Sequence, residues 1–459
     1  MKTIKEPRKN IVLLWRYQKP SEAIYRPMKY LLQTQTDDGL LLYNVVTNEM
    51  VLLNENEKRA FENLPNRYSE ELDELIARHY VVPKDYVEST SVRQLRALLK
   101  KLDTPKRVKG FTILPTTECN ARCYYCFESN HKRCTLTKEM ADDVVEYILK
   151  LGKNESVEIG WFGGEPLVGS KRITQICKAL KENGIKYRSS MVSNAYLFDE
   201  DMIRIAKDEW NLTSIQITLD GTEKVYNETK AYIHPQDNPY ERVLRNIGDL
   251  LKNGILVNIR LNVTDKNYAD LDKLIDELAE RFKGEKAFSC YSHAVYEGVG
   301  FEPLTYDNRE LVDSQTIALD DKLREKRLLG NLSQLPYLRT NHCMADNEST
   351  RLIYPDGTIG KCENMPSTEC IGNIYDDITD PEKDAWYKTV EQPPECENCC
   401  LFPYCFDLKP CPEAGLCSPN KMNWKIDRYT ELMQEKYRKY KKEESAVESA
   451  DFNKQECES

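Results

Sequence analysis

Three cysteines carry the most specific chemistry in this chain. Cys119, Cys123 and Cys126 lie in the run Cys119-Asn-Ala-Arg-Cys123-Tyr-Tyr-Cys126. The spacing C-x3-C-x2-C can supply three thiolates to one [4Fe–4S] cluster, and the motif contains no fourth ligand. An iron without a protein ligand is a place for another molecule to bind, so the pattern points beyond simple electron transfer. A structural zinc site is the competing reading. It would want a fourth donor close by, and Cys134 is the residue at hand.

The remaining cysteines extend this picture. The 459-residue chain has 16 cysteines but only five histidines, so soft ligation falls to sulfur. The cysteines cluster at 119–126, 343–370 and 396–417, with C-x2-C and C-x5-C spacings. A disulfide framework fits poorly in a chain this long. The opening run MKTIKEPRKNIVLLW is basic and then briefly apolar, too short for a span and without a clear cleavage signal. The expectation is a cytoplasmic protein with no membrane partner, in a cell or compartment that shields clusters from oxygen. A formal net charge of −10 argues against a general nucleic-acid binder. Zinc remains open for any one group, because cysteine spacing alone does not choose the metal.

The elements that must position these residues read as follows. Residues 25–53 suggest short antiparallel strands, with turns at Asp37-Asp38-Gly39 and Thr47-Asn48-Glu49. Helices follow at about 55–64 and 69–78, the second with Ser69 as a candidate cap. A linking helix is expected over 91–102. From 108 the pattern becomes strand–helix alternation. Strands are expected at 109–115, 156–161, 186–192, 214–219, 256–263 and 286–292. Helices are expected at 137–150, 169–183, 199–207, 239–253 and 267–282, the first capped by Thr137. Repeated units of this kind imply an α/β fold with a parallel sheet, whose chemistry lies at the carboxyl ends of the strands. An open doubly wound sheet is the alternative. Residues 308–341 read as connecting helices, LIYPDGTI as a hairpin turning at Asp356-Gly357, and the end from about 424 as a charged helix with a polar tail. Segment 380–420 has too few apolar runs for its own core, so bound metal would have to organise it.

The triplet, with Tyr125 before its last cysteine, resembles the radical S-adenosylmethionine (SAM) superfamily. The resemblance implies a partial (β/α)6 TIM-like barrel. It also implies that the open iron chelates the amino and carboxylate groups of SAM, whose one-electron cleavage gives methionine and a 5′-deoxyadenosyl radical. Further motifs fall in the family's order. Gly163-Gly164-Glu165-Pro166, after the second strand, resembles the motif that receives the methionine ammonium. Ser193-Asn194 follows the third strand, where Ala195 replaces the family's usual glycine. Thr218 and Asp220 resemble positions lining the ribose, and Arg260 and Asn262 resemble positions that contact SAM.

The later cysteines resemble the SPASM domain, an auxiliary-cluster module of peptide-modifying radical SAM enzymes. The resemblance implies one cluster on Cys343, Cys362 and Cys411, with Cys370 completing it or one iron left open. A second would use Cys396, Cys399, Cys405 and Cys417, making three [4Fe–4S] clusters in all. Five residues precede Cys411 where the family usually has three, so the ligand allocation stays open. Cys177 reads as core; Cys134 and Cys290 have no assigned role.

The amino-terminal segment resembles PqqD-like, winged-helix-like modules that bind a precursor's leader by strand addition; the candidate strand around 40–46 belongs to this module, and the sequence does not select the receiving edge. The domains expected are 1–90 for peptide recognition, 91–107 for the linking helix and 108–307 for the barrel. They continue with 308–341 as a bridge, 342–423 as the SPASM domain and 424–459 as helix and tail. The function implied is maturation of a ribosomally made precursor peptide by thioether crosslinking, with a flavodoxin or ferredoxin as electron donor. Carbon–carbon crosslinking, sulfatase-type Ser or Cys oxidation, and a non-enzymatic iron–sulfur protein are the rivals.

Overall fold

A computed structural model describes residues 1–14, 23–295, 306–330, 334–411 and 417–457. Six parallel strands form its centre: Gly110–Ile113, Val157–Trp161, Tyr187–Ser193, Leu212–Leu219, Leu256–Val263 and Phe288–Ala294. They lie side by side in sequence order, each hydrogen-bonded to the next. A doubly wound sheet reverses its strand order at a switch point. This sheet has no reversal among its six strands, so the chain winds in one direction, as a barrel does.

Burial along the strands shows which face works. In Tyr187–Ser193, and from Ile215 in Leu212–Leu219, every second residue is buried. The apolar set, including Met191, Ile215, Ile217 and Leu219, joins a core with helices such as Lys138–Gly152, Ser170–Glu182 and Pro239–Lys252. Parallel strands are usually apolar on both faces. Here the other face carries polar residues. Tyr291 Oη donates to Gln216 at 2.8 Å, Ser289 Oγ to Asn258 at 3.1 Å, and Arg260 Nε to Asn262 at 3.0 Å. A polar face on a parallel sheet suits a polar ligand.

Several local expectations are met. Thr137 caps its helix by accepting from Met140 N at 3.1 Å. Asp356-Gly357 turns a hairpin, with Gly357 at φ +82°. Others need correction. The 69–78 helix is shorter, Asp73–Ala77 after a 3-10 turn at Glu70–Leu72, and Ser69 gives no side-chain cap. A helix at Glu223–Lys230 was not anticipated. Among the described residues the bridge holds one helix, Tyr306–Glu325. The strand Thr350–Ile353 of the hairpin pairs in parallel with Gly110–Ile113, so the cysteine-rich end continues the central sheet.

The amino-terminal residues form two antiparallel sheets, one of four strands and one of three. Gly39–Asn44, the strand expected around 40–46, lies between Glu49–Leu52 and Leu31–Thr36 and has both edges paired. Among the described residues, Lys2–Lys5 and Leu31–Thr36 are the outermost strands of that sheet. The terminal helix, Pro419–Cys457, is more than a charged appendage. Tyr429, Leu432, Met433 and Tyr437 pack into one core with Leu32, Leu41 and Tyr43 of the first sheet. Among the described residues no helix is long and apolar enough to cross a membrane.

Candidate active site

The cysteine loop follows the first barrel strand, and the second strand's glycine turn is pressed against it. Gly164 N donates to Thr116 O at 3.2 Å and Glu165 N to Glu118 O at 2.9 Å. A Cβ on Gly163 would stand 2.3 Å from Thr116 O, and one on Gly164 2.4 Å from Glu118 O. Glycine is therefore required here for backbone to meet backbone, which locks the turn to the loop. Pro166 then opens a 3-10 turn.

Glu165 is fully buried. One oxygen accepts from Leu167 N at 3.0 Å and Ser193 Oγ at 2.8 Å; the other accepts from Asn194 N at 2.8 Å. Despite these bonds, burial holds its carboxyl up to about 7. Among the described residues no cationic side chain pairs with it. A ligand ammonium would supply the missing charge. Asn194 Nδ2 donates to Asn120 Oδ1 at 2.7 Å, while Asn120 Nδ2 is buried without a partner, a donor suited to a ligand carboxylate. Ala195 takes φ +59°, the left-handed conformation for which glycine is the usual residue.

The fourth and fifth strands contribute a closed polar network. Tyr125 Oη donates to Asp220 Oδ1 at 2.7 Å. Lys230 Nζ lies 2.8 Å from Asp220 Oδ2 and donates to Thr218 Oγ1 at 2.6 Å and Tyr125 Oη at 3.0 Å. Asn262 Nδ2 donates to Asp220 Oδ1 at 3.1 Å and to Tyr125 Oη at 3.0 Å, and Arg260 bonds Asn262. Thr218 and Asp220 thus meet at Lys230, and Asn262, held by Arg260, joins them through Asp220 and Tyr125. Sequence reasoning missed Lys230. A lysine in a helix's last turn ordinarily complements the dipole from solvent, and nothing in TEKVYNETK marks it as buried. Glu128 was also missed; burial pushes its carboxyl up to about 8, with Oε1 unpartnered.

The donor set suits a cluster. Burial pushes Cys119 up to about 12 and Cys126 up to about 11, and raises Cys123 as well. Cys119 is further raised by the fields of Cys123 and Cys126, which places the three thiols near one another. Thiols so buried stay protonated until a metal cation reverses the balance. Among the described residues no three His, Cys, Asp or Glu side chains converge closely enough for a single ion. Ligands of a multi-iron cluster bind separate irons and stand further apart.

The later cysteines fall into two groups. Cys362, held up to about 12 chiefly by burial, is also raised by Cys343 and Cys411. Cys396, pushed up to about 11 by burial, is further raised by Cys405, Cys399 and Cys417. Cys362 and Cys370 both act on Tyr387. Cys177 and Cys290 are fully buried in the main core. Cys134 supports the triplet loop through its backbone, donating to Thr117 Oγ1 at 2.8 Å and accepting from Thr117 N at 2.8 Å.

Comparison with known proteins decides what this arrangement belongs to. Residues 113–278 match the model of the Radical SAM superfamily. Those residues form a radical SAM domain. The curated probable GTP 3′,8-cyclase of Methanococcus aeolicus is 31% identical over 120 residues, 25% of this chain and 38% of that protein. The match therefore spans well under half of the relative. The solved structure of native anSMEcpe with bound AdoMet aligns over 72% of this chain and 98% of its own, at 17% identity and a TM-score of 0.53. Native anSMEcpe with bound AdoMet and Cp18Cys peptide aligns over the same shares at 16% identity and 0.51. At this identity the likeness is one of fold. It supports the barrel over the doubly wound alternative for the radical SAM domain.

Proposed function

We propose that this chain is a radical SAM peptide maturase that forms thioether crosslinks from cysteine in a ribosomally made precursor. The observation that carries the reading is the division of the later cysteines into two mutually close groups beside a radical SAM domain. Two auxiliary clusters on those groups would give three in all. The peptide bound to anSMEcpe supports a peptide substrate for this chain too. A leader would add to an open strand edge of the amino-terminal sheets.

When bound, the first cluster and SAM supply the radical that removes hydrogen from the substrate. This chain's residues prepare the site. Cys119, Cys123 and Cys126 would hold the cluster, with Glu165 set to receive the SAM ammonium and Asn120 a carboxylate oxygen. Ser193 and Asn194 orient Glu165 through their bonds to its two oxygens. Asp220, Lys230 and Asn262 hold Tyr125 rigid within the cluster loop. The half-buried polar strand face, including Gln216, Tyr291 and Arg260, would take the peptide segment being modified. Cys343, Cys362 and Cys411, with Cys370 as a further ligand, would hold one auxiliary cluster; Cys396, Cys399, Cys405 and Cys417 would hold the other. Reduction would come from a flavodoxin or ferredoxin, and the cytoplasm would supply both donor and precursor.

The test is anaerobic reconstitution followed by assay for 5′-deoxyadenosine with reductant. Incubation with a cysteine-containing precursor should remove two hydrogens per crosslink. Thiol alkylation and fragmentation then separate a thioether from a carbon–carbon bond of equal mass. Replacing Cys119, Cys123 or Cys126 should abolish SAM cleavage. Replacing Cys362 or Cys396 should spare cleavage and stop product. An intact, reduced first cluster that leaves SAM whole would defeat the proposal.

A further inference from the structure

Arg96 is a buried arginine without an acid. It lies on the helix Glu88–Leu102 and is 7% exposed. Among the described residues no carboxylate pairs with it. Its guanidinium instead donates to three carbonyls: Arg339 O at 3.0 Å, Phe402 O at 3.2 Å and Pro403 O at 3.0 Å. Its carbon centre lies 4.4 Å from the centroid of the Phe406 ring. Carbonyls and an aromatic face orient a cation but do not neutralise it. A buried charge normally has a partner of opposite sign. Burial pulls the Arg96 guanidinium down to about 10, with Arg93 adding to that, while Cys405, Tyr30 and Asp346 act in the opposite direction.

The carbonyls that Arg96 grips define the loop between two proposed ligands. Phe402 and Pro403 lie between Cys399 and Cys405. The neighbouring Gln392 donates to Cys405 O at 2.6 Å. The same loop is held from the amino-terminal side, where Tyr30 stacks on Phe402 with centroids 5.5 Å apart and Arg93 pairs with Glu397 at 2.7 Å. Four thiolates around a four-iron cluster make an anionic group, the charge Arg96 lacks.

We propose that Arg96 is a positioning residue for an auxiliary iron–sulfur site, fixing the Cys399–Cys405 span and supplying the positive charge that offsets the cluster held there. This rests on the reading that Cys396, Cys399, Cys405 and Cys417 bind a cluster. It makes a helix about 300 residues before the first of those cysteines part of the metal site. Reduction potentials of such clusters depend on net charge and on hydrogen bonding nearby. A fixed cation favours the reduced, more negative state.

The experiment uses the full chain, reconstituted anaerobically with iron and sulfide. Potentiometric titration followed by electron paramagnetic resonance compares the native chain, Arg96→Lys and Arg96→Met, with Cys396→Ala assigning the signal of this loop. Arg96→Met should make that centre at least tenfold harder to reduce, a fall of about 59 mV for one electron, while the SAM-cluster signal stays in place. Arg96→Lys should restore most of the shift. If Arg96→Met loses the centre altogether, retention of iron by Arg96→Lys supports the role of charge and its loss overturns it. A loop signal unmoved in Arg96→Met, or all centres moving together, also overturns the inference. A native chain from which Cys396→Ala removes no signal defeats the ligand reading instead.

Discussion

Lys230→Met should loosen the cluster loop, and the structure sets the scale. Lys230 and Asp220 are both almost fully buried, with 2.8 Å between Nζ and Oδ2. At that distance, with an effective dielectric constant of about 20, their attraction is about 6 kcal/mol. Desolvating the two charges costs several kcal/mol, so the intact pair contributes little net stability. Removing one partner is different: Asp220 stays buried with only Tyr125 and Asn262 donating to it. That loss should be about 3–5 kcal/mol, or roughly two to three and a half powers of ten in a local opening constant. The backbone provides the reporters. Arg122 N donates to Lys230 O at 2.8 Å, and Ile233 N donates to Asn120 O at 2.8 Å. Hydrogen exchange at the Arg122 and Ile233 amides should accelerate at least a hundredfold in Lys230→Met, while the strand Gly39–Asn44 keeps its protection. The double variant Lys230→Met/Asp220→Asn removes both buried charges and should recover much of the loss. Exchange within threefold of the native chain, or a double variant as weak as the two single losses added, would refute the reasoning.

Three further outcomes concern the two cysteine regions. Glu165 has its folded pKa raised from 4.5 to about 7, so the ligand-free chain should lose stability as pH rises through that window, by up to about 1.4 kcal/mol per unit. Glu165→Gln should reduce that slope in denaturation measured across pH 4.5–7.5; Glu128, held up to about 8, keeps part of it. Gly164→Ala forces a Cβ to 2.4 Å from Glu118 O and should cost about 1–3 kcal/mol. Iron bound per chain after reconstitution should fall with it, and undiminished iron would count against the locking role of the turn. In the reduced, ligand-free chain, the Cys399–Cys400 pair should alkylate before the triplet at neutral pH. The hydrogen bond within the pair and the Leu401 amide stabilise a thiolate there, whereas burial keeps Cys119 protonated. Peptide mapping after limited iodoacetamide reads the order, and equal labelling of Cys119 contradicts it.

What the sequence revealed divides along a physical line. The six barrel strands were legible because each carries a local period of apolar residues; Leu256–Val263 was anticipated to the residue. The helix Glu223–Lys230 was not, because EKVYNETK has no apolar stripe. The terminal helix read as charged because Lys, Arg and Glu dominate its composition, yet Tyr429, Leu432, Met433 and Tyr437 are enough to bury one face. The parallel pairing of Thr350–Ile353 with Gly110–Ile113 joins segments some 240 residues apart, and no local pattern specifies such a partner.

The site shows the same division more sharply. Metal ligands are legible because a cluster demands sulfur at short, fixed spacings, so the motif writes itself into a few consecutive residues. The groups that balance charge around those ligands obey no spacing. Lys230 reaches the Cys119–Cys126 loop from a helix about 100 residues later, and Arg96 reaches the Cys396–Cys405 loop from one about 300 residues earlier. Each is a long cationic side chain near a helix surface, a position where sequence alone predicts solvent. Their burial beside cysteine loops follows from tertiary packing. If the two cations act as argued, removing them should separate two effects. Lys230→Met strands a carboxylate and shows as faster exchange in the first loop. Arg96→Met strands only carbonyls, which still have lone pairs to share with water or neighbouring donors. Its consequence should therefore lie chiefly in the electrochemistry of the auxiliary site, with a smaller loss of local protection.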